Sequence, residues 1–129
     1  MLAAQPPEVA KILLSKVAEK SATPYREGIE FSVSQRNLAV GGQVVSINGI
    51  YGEYNEIFIP LYGAHQASNA AIALAAVEVF AQTAIDADVV ARAFANIESP
   101  GRCEVLHRDP TVIVDAAHNP HGAHALALT

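Results

Sequence analysis

The chain has 129 residues, a formal net charge of −5, 51% hydrophobic residues and only 16% charged residues. This composition predicts one globular domain or pieces of two, and it excludes global disorder. The eight basic residues are scattered, which argues against a nucleic-acid partner because phosphate binding needs clustered Lys and Arg. No apolar run approaches the roughly 20 residues of a membrane span, no leader sequence is visible, and the single Cys103 fits a reducing compartment.

The first half predicts one helix and a meander of short strands. A helix is expected over 8–20, because Pro6 and Pro7 precede it and apolar residues then recur on one face, namely Val9, Ile12, Leu13 and Val17. Strands are expected over 30–34, 43–47 and 56–61. The turn signals Gly41-Gly42 and Asn48-Gly49 flank the middle strand and favour antiparallel pairing over 30–61.

The second half begins with helices. Alanine is concentrated between Ala64 and Ala95, which favours helices over 69–82 and 86–97. The second helix has a predicted buried stripe of Val89, Val90, Ala93, Phe94 and Ile97.

The remaining elements are a strand pair and a last helix. Pro100 and its neighbours break the chain, strands follow over 102–107 and 111–115, and a helix opens at Asn119-Pro120. We expect Cys103 to be a small apolar strand residue. Because the sequence stops within a helical pattern, we expect a fragment holding the end of one domain and the start of another, divided near Pro100.

Three groups of residues carry candidate chemistry. The first is the segment from Gly63 to Ala71, at the junction of a strand and a helix. Asn69 is expected in the first helical turn, where its amide can donate and accept in one plane, as recognition of an adenine edge requires. The alternative is that Ser68 or Asn69 only caps the helix.

The second group is Pro100-Gly101-Arg102, a turn that presents an arginine at the start of a strand. A planar guanidinium is a natural clamp for phosphate oxygens. The alternative is an exposed arginine in a linker.

The third group is the apolar run Val112 to Val114 followed by Asp115. Three β-branched residues predict a buried strand, and an acidic residue at its carboxyl end can accept hydrogen bonds from ribose hydroxyls. The alternative is an ordinary turn with Asp115 as its local acceptor. A metal site formed by Asp115 with His118, His121 and His124 is a further, weaker interpretation, since no cysteine accompanies them.

Taken together and in order, three strings resemble the folylpolyglutamate synthase and dihydrofolate synthase family of the Mur ligase superfamily. They are Leu61 to Ala71 (LYGAHQASNAA), Pro100 to Glu104 (PGRCE) and Asp115 to Gly122 (DAAHNPHG). The resemblance implies an α/β fold in two parts. Residues 1–99, with the short β meander, would be the end of a P-loop-type central ATP-binding domain. Residues 100–129 would begin a Rossmann-like C-terminal domain.

The resemblance also implies an activity, an ATP-dependent ligase that adds glutamate to folates through an acyl phosphate, in folate and one-carbon metabolism. The partners implied are ATP, folate or dihydropteroate, and L-glutamate, with Mg²⁺ held by residues outside this chain and no nucleic acid or membrane. The full-length protein would be a cytoplasmic monomer. The fragment itself would be inactive, because no G-x-x-x-x-G-K-[ST] phosphate loop occurs in it.

By motif match, the resemblance assigns roles to individual residues. Asn69 would contact adenine, Arg102 the phosphates and Asp115 the ribose. His118 would be a catalytic residue near the phosphates or at the domain interface. His65, Gln66 and Asn119 would be neighbours of the ATP site, and no residue of the chain would bind a metal. Two alternatives remain, a Mur ligase of peptidoglycan synthesis and a nucleotide-binding or interaction module without catalysis.

Overall fold

The computed structural model describes residues 1–129. Its first part consists of helix α1 (Pro7–Glu19) and the strands β1 (Ser32–Ala39), β2 (Gly42–Asn48) and β3 (Glu53–Ile59). The three strands pair antiparallel in the order β1-β2-β3, so β2 is the central strand. The predicted meander is confirmed, although β1 begins at Ser32 instead of residue 30.

One face of this sheet is buried against helix α2 (Ala64–Ala81) and helix α3 (Ala87–Ala95). The strand period of two places buried residues of β2 and β3 on that face, among them Val45, Ile47 and Ile59. Small side chains let α2 lie close to the strands. The helical members of this core are Ala67, Ala70, Ala71, Leu74, Ala75, Val90 and Phe94.

Helix α2 begins at Ala64, and the prediction of a start at Asn69 is wrong. Gly63 is the N-cap residue, with φ +99°, a backbone conformation that residues with a side chain rarely adopt. Alanines follow at once and favour the helix, so nothing stops it from extending back to Gly63. Asn69 therefore lies in the second turn, and neither Ser68 nor Asn69 is a cap. No helix of the chain, α2 included, is long and apolar enough to cross a membrane.

Helix α3 is capped by Asp86, whose carboxylate accepts hydrogen bonds from the backbone N–H groups of Asp88 (3.0 Å) and Val89 (3.1 Å). Val90 and Phe94 are buried as predicted. The prediction is wrong for Val89 and Ala93, which are exposed. Helix α3 packs on the sheet along β3, which buries a stripe narrower than the predicted one.

Residues after 100 form a separate antiparallel pair, β4 (Glu104–Arg108) and β5 (Thr111–Val114), followed by helix α4 (Pro120–Ala127). The order of elements is as predicted, but the burial of β5 is not. Its apolar side chains are 41% to 51% exposed, and no residue after Phe94 is buried. A two-stranded ribbon has two faces, and within this chain no second layer covers them.

Cys103 is not a strand residue, contrary to the prediction. It precedes β4 with φ +49°, and its N–H donates to the Asp115 carboxylate (2.8 Å) instead of to a partner strand. The side chain of Asp115, which directly follows β5, therefore also holds the backbone just before β4.

Candidate functional site

A small cavity of about 100 Å³ lies where the start of α2 meets the segments on either side of the β4–β5 ribbon. His65 of α2 forms part of its lining. Arg102 and Asp115 form another part, and Thr129 after α4 also contributes. Three residues predicted for the site thus line one cavity, although they are widely separated in sequence.

Asp115 follows the last residue of β5, and its half-buried carboxylate joins two loops. Oδ2 accepts from the backbone N–H of Cys103 (2.8 Å), and Oδ1 accepts from the N–H of Ala117 (2.7 Å). The turn role considered as an alternative is therefore present. A carboxylate has about four lone-pair sites, so each oxygen can still accept a hydrogen bond from a ligand hydroxyl.

Arg102 lies in a turn whose backbone is held by several hydrogen bonds. Its N–H donates to the carbonyl of Ser99 (3.2 Å), and the neighbouring Gly101 carbonyl accepts from the N–H of Ala116 (2.7 Å). The N–H of Gly101 donates to the Glu104 carboxylate (2.7 Å). The exposed guanidinium itself is in no ion pair of the chain. A fixed backbone with a free cationic side chain suits the binding of an anionic group.

The remaining site residues of α2 lie beside His65. Asn69 is one helical turn beyond His65, on the same face. It is exposed, and its Nδ2 donates to Oε1 of Gln66 at 3.4 Å, a long hydrogen bond that a ligand could replace. Gln66 and Asn69 do not line the small cavity, so the structure brings only His65 of this group into it.

His118 and Asn119 belong to the loop before α4, outside the cavity lining. Nδ1 of His118 lies 2.9 Å from the carbonyl oxygen of Ala116, and the ring is exposed. Asn119 caps α4 by accepting from the N–H of Gly122 at 2.8 Å, as its sequence context predicts. The structure thus gives both residues local backbone partners.

A larger cleft of about 320 Å³ also has Arg102 in its lining. One wall is the end of the three-stranded sheet, with Gly41, Pro60 and Tyr62. The rest of the lining runs from Ile97 into β4. Arg102 and Cys103 line both spaces, so the two are neighbours around this turn. Small-molecule sites usually occupy about 300–1,000 Å³, a range that the larger cleft only just reaches.

The small cavity is lined by an imidazole, a guanidinium and a carboxylate, together with the thiol of Cys103. Burial, and to a lesser extent the charge of Asp115, raises the pKa of the Cys103 thiol, which keeps it protonated at neutral pH. No group of three or more His, Cys, Asp and Glu side chains is arranged to hold a metal ion.

Sequence reasoning missed two residues that shape this region. Thr129 lines the cavity through the packing of α4, which no local pattern could indicate. Gln43 is completely buried and donates to the carbonyl of Gly63 at 3.1 Å. A polar residue at an inward position of a strand, in step with Val45 and Ile47, was the available signal.

Comparison with known proteins agrees with this architecture. The dihydrofolate synthase/folylpolyglutamate synthase of Mycobacterium tuberculosis is 49% identical over an alignment 129 positions long, which covers 97% of this chain and 26% of that protein. The folylpolyglutamate synthase of Lacticaseibacillus casei is 28% identical over 93% of this chain and 29% of its own length. No family model matches the chain.

Solved structures show the same relationship. The M. tuberculosis folylpolyglutamate synthase complexed with ADP superimposes with a TM-score of 0.95 at 48% identity, over 98% of this chain and 28% of that one. A folylpolyglutamate synthase complex with AMPPCP and folate gives a TM-score of 0.92 at 27% identity, over 98% of this chain and 32% of that one.

The fold is therefore a mixed α/β arrangement of the Mur ligase type, as predicted. The resemblance to the folylpolyglutamate synthase and dihydrofolate synthase family is confirmed over nearly the whole chain. The chain spans about a quarter of the length of the M. tuberculosis relative, 26%.

Proposed function

We propose that this chain is the part of an ATP-dependent ligase that holds the nucleotide between two domains, in an enzyme that adds glutamate to folates. In the proposed reaction a folate carboxylate is phosphorylated by ATP, and the amine of glutamate displaces phosphate from the acyl phosphate. The observation that carries the proposal is the cavity in which Arg102 and Asp115 meet His65 of α2. The relative solved with ADP, at a TM-score of 0.95, supports it.

Each proposed contact uses a group that the structure leaves available. Arg102 offers a guanidinium in no ion pair to phosphate oxygens. Asp115 offers its remaining lone pairs to the ribose hydroxyls, and Asn69 its amide to the adenine edge. His65 and Gln66 lie beside them on α2, with His118 and Asn119 in the loop after Asp115. We assign His118 to the neighbourhood of the phosphates.

The two parts of the chain have different roles in this proposal. Residues 1–99 close the central ATP-binding domain, and residues 100–129 open the C-terminal domain. Because adenine is assigned to α2 and the phosphates and ribose to Arg102 and Asp115, nucleotide binding would fasten one part to the other. Mg²⁺ and L-glutamate would be held by residues outside this chain. The enzyme would act as a cytoplasmic monomer.

A chimeric enzyme tests the proposal. The chain replaces the matching segment of the M. tuberculosis relative, and ATP-dependent glutamate addition is measured with both substrates varied. Asp115→Asn and Arg102→Gln should each raise the KM for ATP about tenfold or more, since each removes a charge-assisted hydrogen bond of roughly 1.5–3 kcal/mol. The KM for folate should change much less.

Matched controls separate binding from folding. Asp109→Asn alters an exposed turn, and Arg92→Gln alters an exposed position on α3; neither should change either KM. An unchanged ATP KM in Asp115→Asn would assign Asp115 to the turn alone. Nucleotide binding by the chimera without any glutamate addition would favour a binding module that has no catalysis.

A further inference from the structure

We infer that Gln43 is a positioning residue for the nucleotide site, because its side chain sets the orientation of the peptide from which α2 starts. The inference rests on the proposed function, since it concerns the helix that presents His65 and Asn69. Gln43 lies on the central strand β2, opposite Leu38 of β1 and Ile59 of β3. Its exposed fraction is 0%, which is unusual for an uncharged amide of this size.

Both the nitrogen and the oxygen of the buried Gln43 amide are hydrogen-bonded. Its Nε2 donates to the carbonyl oxygen of Gly63 at 3.1 Å, and its Oε1 accepts from Nε of Arg36 on β1. No buried side-chain polar atom in the structure lacks a partner. An amide held at both ends cannot turn over, so the donor stays directed at Gly63.

The orientation of the Gly63 carbonyl matters for the start of α2. This carbonyl also accepts the N–H of Gln66 at 3.1 Å, the hydrogen bond that closes the first turn of α2. Gly63 has φ +99°, and a Cβ at this position would lie 2.5 Å from the His65 ring. The peptide is thus in a conformation with few alternatives, and Gln43 is the side chain that anchors it to the sheet.

The direction of the first turn of α2 follows from this attachment. His65 is directed toward the cavity that Arg102 and Asp115 also line. A small rotation of the Gly63 peptide would turn the start of α2 relative to these residues, whereas the helix centre is held by the packing of Ala71 and Ala75. Gln43 therefore acts on the ligand through Gly63 and α2, without touching it.

Two variants test the two hydrogen bonds of the Gln43 amide. Gln43→Met keeps the length of the side chain and removes both hydrogen bonds. Gln43→Glu keeps an acceptor for Arg36 but has no donor for the Gly63 carbonyl. Gln35→Met, at an exposed position of β1, is the matched control.

The first measurement is hydrogen exchange in the 129-residue chain itself. Both Gln43 variants should speed exchange of the Gln66 amide about tenfold relative to that of Leu74 in the helix centre, and Gln35→Met should change neither. Unchanged protection of Gln66 in Gln43→Glu would overturn the inference, because the link to Gly63 would then do nothing.

The second measurement is steady-state kinetics in the chimeric enzyme. Both Gln43 variants should raise the KM for ATP about three- to tenfold, with the folate KM unchanged. A lowered melting temperature with an unchanged ATP KM would make Gln43 a structural residue only and would overturn the inference. Failure of the proposed function is distinct, since the unsubstituted chimera would then show no ATP-dependent turnover at all.

Discussion

At the scale of single residues, the interior contains one carboxylate, and backbone N–H groups and a tyrosine hydroxyl donate to it. Glu78 of α2 is completely buried, and its Oε2 accepts from the N–H of Ile50 at 2.6 Å. Its Oε1 accepts from the hydroxyl of Tyr54 at 2.7 Å, and that hydroxyl accepts from the N–H of Ile85 (2.9 Å). A Cβ at Gly49 would lie 2.3 Å from the carboxylate, so only glycine allows this approach.

This arrangement makes stability depend on pH in the alkaline range. Burial, followed by the hydrogen bond to Glu78, raises the pKa of Tyr54. The folded state thus favours the protonated phenol. Its contribution is complete below the ordinary tyrosine pKa of about 10 and is lost as pH rises through the raised value.

Tyr54→Phe should therefore have two effects. At neutral pH it should lower the free energy of unfolding by about 1–3 kcal/mol, because Glu78 and the Ile85 N–H each lose a partner. Above pH 10 the variant should lose less stability than the parent chain does. Urea unfolding at a series of pH values measures both. Tyr51→Phe, at a position that is 48% exposed, serves as the control; equal pH profiles for all three proteins would contradict the prediction.

At the scale of secondary-structure elements, burial is unevenly distributed. Helix α2 contributes six of the buried positions, including Ala71 and Glu78, and it packs against a sheet. The elements β4, β5 and α4 contribute none. A ribbon of two strands is marginal by itself in water, so its stability depends on what covers it.

Hydrogen exchange of the 129-residue chain should reflect this difference. Amides over 100–129 should exchange faster than those over 69–82, because local opening of the ribbon exposes little apolar surface that was not already exposed. Mass spectrometry of peptides from both regions, taken at several times, measures the ratio. Equal protection would mean that the ribbon is held firmly against the first sheet, and that a boundary near Pro100 is misplaced.

At the scale of the whole molecule, the candidate site depends on two parts that share little buried surface. Arg102 and Asp115 come from the second part, and His65 and Asn69 from the first. The chain superimposes on the solved M. tuberculosis structure and covers 28% of that chain. No phosphate-binding G-x-x-x-x-G-K-[ST] loop is present in the 129 residues.

The 129-residue chain should therefore not catalyse ligation alone. Phosphoryl transfer depends on positioning and on charge stabilisation of the transferred group, and the chain supplies only part of the groups required. An assay for ADP formation that depends on both glutamate and folate should give no signal above background. The chimeric enzyme at equal concentration is the positive control. Glutamate-dependent turnover by the chain alone would show that the missing groups are not needed.

What the sequence determined by itself was local. The caps of α3 and α4 follow from Asp86 and Asn119, because a cap is made with backbone groups two or three residues away. The turn signals Gly41-Gly42 and Asn48-Gly49 also act over only a few residues, so the turns that they mark follow from the sequence. The placement of Asp115 after a strand was also predictable, since the apolar run before it is unambiguous, and the three motifs in order were enough to predict the family.

The tertiary structure alone decided the rest, because burial depends on which distant segments meet. Val112 to Val114 have the composition of a core strand, yet they are exposed where no second layer packs on the ribbon. Gly63, the N-cap residue of α2, is hydrogen-bonded to the buried Gln43 of the sheet, 20 residues earlier in the chain. The small cavity also depends on the tertiary structure. His65, Arg102 and Asp115 line one space only because α4 and the loops around the ribbon pack against the start of α2, and no periodicity or local propensity encodes that contact.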